Sequence, residues 1–548
     1  MFITSYAPFG ADGVIIRVEA DIRRGIPGAD ITGLAQTAVR ESRERARAAF
    51  RNSGFEFPRD RVLVNLAPAG VRKDGASLDL PIALAIMAAA GSIPPPDDLM
   101  ALGELELSGN LRPVRGVLAA IAGGLESGIK GFIVPLENAA EARILAKDKT
   151  VAVATLKEAA EAVAYYARNG VFPSGLNVQQ QANSDPSSRA APPAQSPPAT
   201  QSAQSGDCAG DFAGDFADVR GQGRYKRALE IAAAGGHNLL VFGPPGAGKT
   251  MLARRLPSIM APLLPSEAVE VTRLHSLAGL SRFGAGQEGL ITTPPFRSPH
   301  HSASVEGILG GGKTVRPGEI SLAHFGALFL DEAPEFRGNV LQALREPLED
   351  RVISISRAES SVRLPADFQL ILAANPCPCG KLGMTGHNFG DSPGATCFCS
   401  PEEIHRYWRK FGGALLDRVE LRVMVKQSDT PLTGSNAEEP SSAAAARVSR
   451  AVEIQRARFQ DNAGGAIRRN AAMTPPLIER CCAVSGEAER ALNAAEQKLG
   501  FSGRAIHGVL RVARTIADLE GCDAIKPVHI LEAIQHRRLG DDPYDVMT

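Results

Sequence analysis

Three textures of apolar and polar residues alternate along the chain. The first is a short apolar or alternating run, which predicts a strand. It occurs at residues 14–20, 61–66 and 131–134, and again at Leu239–Phe242, Ala327–Leu330 and residues 367–374. The second has helical spacing. In Thr37–Asn52, Val39, Ala46, Ala49 and Phe50 lie under a dense charged face, and Ser53-Gly54 stops the run. Residues 79–90, 117–125 and 225–234 follow the same rhythm, the last ending at Gly235-Gly236. Further helices are predicted at 444–460, 476–484, 487–499, Gly503–Leu519 and 528–535, with Pro475-Pro476 and Pro527 at helix starts. The third texture is polar and repetitive. Residues 179–214 are Gln, Ala, Ser and Pro with almost no bulky apolar side chain before Phe212, so they cannot bury enough surface to fold. Residues 429–446 form a second Pro/Ser/Ala-rich stretch, predicted as a loop.

The textures divide the chain into an α+β or α/β region over 1–172, a disordered linker over 173–214, an α/β region over 215–430 and a helical lid over 431–548. Composition adds limits. A chain of 548 residues exceeds a single core, and 44% apolar with 22% charged residues is globular in type. Lys plus Arg equals Asp plus Glu at 60 each, so no chain-wide field draws nucleic acid. Any such contact falls to local basic loops. The start lacks a basic-then-apolar leader, and residues 78–90 are too short to cross a bilayer. The expectation is a cytoplasmic protein with no membrane partner and reduced cysteines.

The chemistry concentrates after Leu239–Phe242. That apolar run leads straight into Gly243-Pro244-Pro245-Gly246-Ala247-Gly248-Lys249-Thr250-Met251. This is a Gly-x-x-x-x-Gly-Lys-Thr phosphate loop, so ATP is the expected ligand. Glycines let backbone N–H groups close around phosphate oxygens, and the next helix starts with its positive end at the anion. Lys249 can reach the β and γ phosphates, and the Thr250 hydroxyl can ligate Mg²⁺. Upstream, Val219 and Gln222 are expected near the base. The Ala327–Leu330 run delivers Asp331 and Glu332 at its carboxyl end, where ligands of parallel sheets collect. Asp331 can hold Mg²⁺ and Glu332 can deprotonate the attacking water. Asn375 closes the next run and fits a sensor of the γ phosphate. Arg418, in Leu415-Leu416-Asp417-Arg418, is either an arginine finger for a neighbouring subunit's ATP or a surface partner of Asp417 or Glu420.

Two further clusters stand out. Cys377-Pro378-Cys379 and Cys397-Phe398-Cys399 place four of the eight cysteines in one loop, enough for a tetrahedral structural Zn²⁺. Cys481, Cys482 and Cys522 read as core residues. Before the Asn375 strand, residues 351–356 and 361–364 alternate as a hairpin.

Near the start, Lys73-Asp74-Gly75-Ala76-Ser77 resembles the nucleophile segment of Lon-type proteases, and residues 103–118 resemble the segment carrying that family's catalytic lysine. This resemblance implies a Lon-protease-like, S5-like α+β domain. Leu118 fills the lysine position, so Ser77 lacks its base and an active peptidase is not expected. Lys130 reads as a solvated strand end.

Phosphate loop, Asp-Glu strand, Asn strand and Leu-Leu-Asp-Arg, in this order, resemble an AAA+ ATPase. Phe296-Arg297-Ser298-Pro299-His300-His301, Gly310-Gly311-Gly312-Lys313, Pro317-Gly318-Glu319-Ile320 and Asn375-Pro376-Cys377-Pro378-Cys379 are similar to its magnesium-chelatase-like subgroup, and within that to the YifB/ComM family. The resemblance implies a hexameric ring of identical chains that moves single-stranded and branched DNA with ATP, promoting branch migration during natural transformation. It also implies that Arg504 is the second sensor, touching ATP phosphates, with Arg511 and Arg514 serving the same site or a subunit contact. Lys313, Arg316, Arg357 and Arg363 would follow a phosphate backbone in the ring's pore.

Overall fold

The computed structural model describes residues 1–11, 13–33, 37–69, 73, 76–172, 214–280, 289–312, 315–357, 360–382, 397–426, 438–460 and 467–537. The expected linker, apart from Gly214, lies outside them, as do Cys208, Lys313 and the side chain of Arg357.

The first region is a seven-stranded mixed sheet. Its strands are β1 (Phe2–Ala7), β2 (Val14–Arg23), β3 (Gly28–Thr32), β4 (Arg61–Ala67), β5 (Leu99–Ala101), β6 (Gly131–Pro135) and β7 (Thr150–Val153), in the order β3-β4-β2-β1-β5-β6-β7. Helix α1 (Thr37–Asn52) spans the residues its pattern predicts, and α2 (Asp79–Ala89) is buried almost throughout. Helices α3 (Val117–Glu126), α4 (Ala139–Ala146) and α5 (Leu156–Asn169) complete the unit. Helices α4 and α5 and the edge strands are not marked by the patterns above.

The second region is built on a five-stranded parallel sheet. Here β8 (Leu239–Phe242), β9 (Phe296–Arg297), β10 (Ala327–Leu330), β13 (Gln369–Ala374) and β14 (Leu421–Met424) run in the order β9-β10-β13-β8-β14. Strands β11 (Val352–Arg357) and β12 (Ser360–Pro365) form the predicted hairpin outside this sheet. The crossover order sets β13 between the strands that carry the phosphate loop and the Asp-Glu pair, so all three carboxyl ends share one rim. This is an α/β P-loop ATPase core.

Helices α6 (Gly223–Gly235), α11 (Ser441–Phe459), α13 (Gly503–Leu519) and α14 (Pro527–Arg537) bury a common apolar core with β8 and β14. Helix α11 corrects the end of the loop expected over 429–446, because it begins at Ser441, while residues 429–437 lie outside the described residues. Pro440 fixes the entry, and the following run of alanines has the highest helix propensity of any residue.

The two regions touch. The Gly116 amide donates to the Ser276 hydroxyl at 3.1 Å, and that hydroxyl donates to buried Glu141. Ser276 lies on α8 (Pro265–Ala278) of the ATPase region. The β1–β2 turn meets the hairpin so closely that a Cβ on Gly10 would stand 2.5 Å from Val362 Cγ1. Among the described residues, no helix is long and apolar enough to cross a membrane.

Candidate nucleotide site and cysteine cluster

The phosphate loop is shaped by its glycines. A Cβ on Gly243 would lie 2.2 Å from the Val425 carbonyl oxygen, so only glycine lets β14 pack beside the loop. Gly248, at φ 80°, turns the chain into the short helix Lys249–Ala253. Buried Lys249 holds the loop by donating to the Gly243 and Pro244 carbonyls at 2.6 and 2.9 Å, and to Asn375 Oδ1 at 3.1 Å. Burial lowers the pKa of its ammonium from the usual lysine value, while Asp331 and Glu332 pull it back up. The Thr250 hydroxyl donates to Asp331 Oδ2 at 2.7 Å. A hydroxyl and a carboxylate converging this closely at the phosphate-loop lysine are the hard oxygen ligands Mg²⁺ accepts. Glu332 is exposed on the same rim with a left-handed backbone, φ 48°. That is an uncommon conformation for a residue with a Cβ, costing about 1 kcal/mol or more, and it is the kind of local strain found at functional sites.

Supporting residues frame the loop. Gln222 donates to the Ala247 and Lys426 carbonyls at 3.3 and 2.7 Å, while Val219 is buried beside it. The Tyr225 hydroxyl donates to the Lys249 carbonyl at 3.1 Å, a contact that the sequence pattern did not reveal. Met251 is exposed on the short helix after the lysine.

The cysteine cluster abuts this site. Cys377, Cys379, Cys397 and Cys399 place their sulfurs within 4.8 Å of one another, with the pairs among Cys377, Cys379 and Cys397 at 3.3, 3.5 and 3.6 Å. Tetrahedral zinc with bonds of about 2.3 Å would set sulfurs about 3.8 Å apart, so the four thiols fit that ion. Burial raises the Cys377 thiol to about 12. Burial also acts to raise Cys379, but the Lys381 amide and three neighbouring thiols outweigh it and bring that thiol to about 7. Gly380 packs on the phosphate loop, where its Cβ would stand 3.0 Å from Pro245 Cδ. The helix after the cluster, Pro401–Arg409, carries Trp408. Its indole donates to the Pro376 carbonyl at 3.1 Å and packs edge-on against Phe242 of β8. A second group, Glu520, Cys522 and His529, does not suit a metal. His529 Nδ1 accepts from the Lys526 amide, which leaves the proton on the Nε2 that faces Glu520.

Arg418 and Arg504 lie elsewhere. The Asn238 side chain, at the amino end of β8, donates to the Arg418 carbonyl at 2.8 Å. Four strand residues, about 13 Å, separate that point from the phosphate loop. The Arg418 guanidinium pairs with Glu349 at 2.5 Å, and Arg504 pairs with the same carboxylate. Neither alternative partner of Arg418 is used, since Asp417 is taken by Arg537 and Glu420 by Arg511. Arg504 therefore sits away from its own chain's phosphate loop. Arg514 does not share a site with Arg511. It is buried among the C-terminal helices, pairs with Asp518 and donates to the Cys522 and Asp523 carbonyls.

In the first region Leu118 is wholly buried and Lys130 is an exposed partner of Asp98. Lys73 Nζ donates to the Gly33 and Pro68 carbonyls. Among the described residues none bonds the Ser77 hydroxyl. Arg316 and Arg363 are exposed, the latter on the hairpin. His300 and His301 stack at 4.0 Å, with His300 bonded to Ser302.

The sheet order, the phosphate loop and the Asp-Glu rim define an AAA+ P-loop ATPase. Family models named "Magnesium chelatase, subunit ChlI", "Subunit ChlI of Mg-chelatase" and "Magnesium chelatase, subunit ChlI C-terminal" match residues 215–432, 18–138 and 438–537. The chain is 38% identical to the uncharacterized protein YifB of Salmonella typhimurium, over 97% of this chain and 96% of that one. It is 37% identical to competence protein ComM of Haemophilus influenzae, over 98% and 97%. The Lon protease of Trichlorobacter lovleyi is 27% identical over 27% of this chain and 19% of its own. The chain belongs to the YifB/ComM family of magnesium-chelatase-like AAA+ ATPases, whose working ligands are ATP and Mg²⁺.

Proposed function

We propose that this ATPase works as a sixfold ring of identical subunits that moves single-stranded and branched DNA. The biological setting we infer is branch migration during integration of a donor strand, in keeping with its Haemophilus relative being a competence protein. One observation carries the reading. The nucleotide residues and the Arg418–Arg504 pair occupy opposite ends of a single parallel sheet. Subunits packed head to tail would join the two halves into complete sites.

At such a joint, Lys249 neutralises phosphate charge and Glu332 accepts the proton of the attacking water. Asn375, tied to Lys249, orients that water. Thr250 and Asp331 would hold Mg²⁺, which supplies positive charge to the phosphate oxygens. Arg418 stabilises charge on the neighbour's γ phosphoryl group, and Arg504 assists from the same rim. Zinc held by the four cysteines would pin the loop that carries Asn375 against Pro245. Exposed Arg316 and Arg363 suit a DNA backbone.

The test is ATP turnover with and without forked or three-stranded DNA, followed by displacement of a labelled strand. DNA stimulation with displacement supports the reading. A second reading, a chelatase-type motor acting on a protein partner, draws on the three ChlI matches. Turnover indifferent to every DNA substrate would favour it.

A further inference from the structure

Glu349 has no place in the mechanism above, yet two arginines of that mechanism end on it. Its side chain is 45% exposed, as is 48% of Arg504, so the contact faces solvent and can exchange. Arg418 is only 12% exposed, and its Nε is buried without a hydrogen-bond partner. Its two terminal nitrogens are taken by Glu349 and the Ala414 carbonyl, so an incoming phosphate reaches this guanidinium by taking the carboxylate's place. The three side chains line a cavity with Arg351, Arg511 and Asp417. Two guanidiniums brought together repel unless an anion lies between them. A triphosphate carries more negative charge than one carboxylate and presents several acceptor oxygens, so it can displace Glu349 from both.

Chain connectivity gives that exchange a consequence. Glu349 is the penultimate residue of α9 (Arg345–Asp350), and β11 of the hairpin starts at Val352. Arg351, between them, has a left-handed backbone at φ 55°; its carbonyl accepts from the Ala366 amide at 2.8 Å and its side chain pairs with Asp367 at 3.5 Å. Both ends of the hairpin are therefore fastened at Arg351, two residues after Glu349. Strand β13, which leads into Asn375, begins directly after Asp367 and Phe368.

We propose that Glu349 is a positioning residue for the trans arginines. It presents Arg418 and Arg504 as a pair to the neighbouring subunit's triphosphate, yields them when that phosphate arrives, and transmits the change through Arg351 to the hairpin. The inference rests on the proposed trans role of Arg418. Although partial burial pushes the other way, the two guanidiniums hold the Glu349 carboxyl below its usual range, so it is ionised at neutral pH.

The test compares Glu349→Gln, Glu349→Asp and Arg418→Ala in the full chain. Readouts are kcat and KM for ATP, with and without forked DNA, and affinity for a fluorescent ATP analogue. Glu349→Gln should leave analogue affinity within about twofold, lower kcat about 10- to 100-fold as misplaced catalytic groups do, and lose any DNA response. Glu349→Asp, which keeps the charge, should recover part of kcat, a rescue that an ordinary stabilising ion pair would not give in kcat alone. Melting of each variant reports folding separately. If Glu349→Gln keeps kcat and DNA response while Arg418→Ala abolishes turnover, the inference falls and the functional reading stands. If Arg418→Ala itself turns over normally, the functional reading falls and takes the inference with it.

Discussion

The two ends of the central sheet differ in what each lacks. At the carboxyl end one chain supplies a phosphate cradle, an ammonium, a hydroxyl–carboxylate pair and a water-facing glutamate. Cationic help at that end comes from Lys249, itself occupied with loop carbonyls. At the amino end stand two guanidiniums joined by one borrowed carboxylate. The lesson is that each end offers what the other is missing. A strand of four residues keeps them apart within a chain, so on the proposed reading they meet only between chains.

The sharpest way to break this comparison is to damage the ends separately. Arg418→Ala should cut kcat by about 10³-fold or more, as loss of an arginine finger does, while sparing ATP binding. Mixing it with Lys249→Ala subunits should restore part of the turnover, because some joints regain both halves; mixtures as inactive as their components would contradict complementary ends. Glu332→Gln should lower kcat by about 10²- to 10⁴-fold with ATP still bound, measured by single-turnover hydrolysis.

A smaller effect is expected beside the carboxyl end. Cys397→Ser should drop bound zinc below one per chain by metal analysis and lower the melting temperature by about 4–8 °C for about 2 kcal/mol of lost pinning. Protein that is zinc-free from the outset would remove the metal from the account. The last effect is absent at neutral pH and concerns the amino end, where buried His237 bonds Thr515 at 2.8 Å. Burial and then Arg511 push its imidazole down to about 3, so it is neutral when folded. The unfolded chain takes up that proton below about pH 6.5. Stability should therefore be full above pH 6.5 and decline towards pH 3, by at most about 1.4 kcal/mol per unit. Thermal melts of His237→Gln across that range should show a shallower slope.

Much of the carboxyl end was legible because it is local. Strand, glycine loop and helix follow one another in sequence, so the residue types of 239–251 carry both their conformation and their chemistry. The Asp331-Glu332 and Asn375 ends were readable for the same reason, each closing an apolar run. The four cysteines were legible as a set, but their seat against Pro245 was not. Helix boundaries followed periodicity to within a few residues, except where alanines after Pro440 continued a stretch that composition had marked as loop.

What the sequence alone determined, then, is the nucleotide chemistry and the order of strands that bear it. Tertiary structure decided which side chains without a motif become partners. Arg504 meets Glu349 across 155 residues, Ser276 meets Glu141 across 135, and Arg514 is drawn into the lid instead of the site. Such pairings are fixed by how the sheet, hairpin and lid pack, and packing depends on shape summed over the whole fold; periodicity and spacing report only what neighbours along the chain can do.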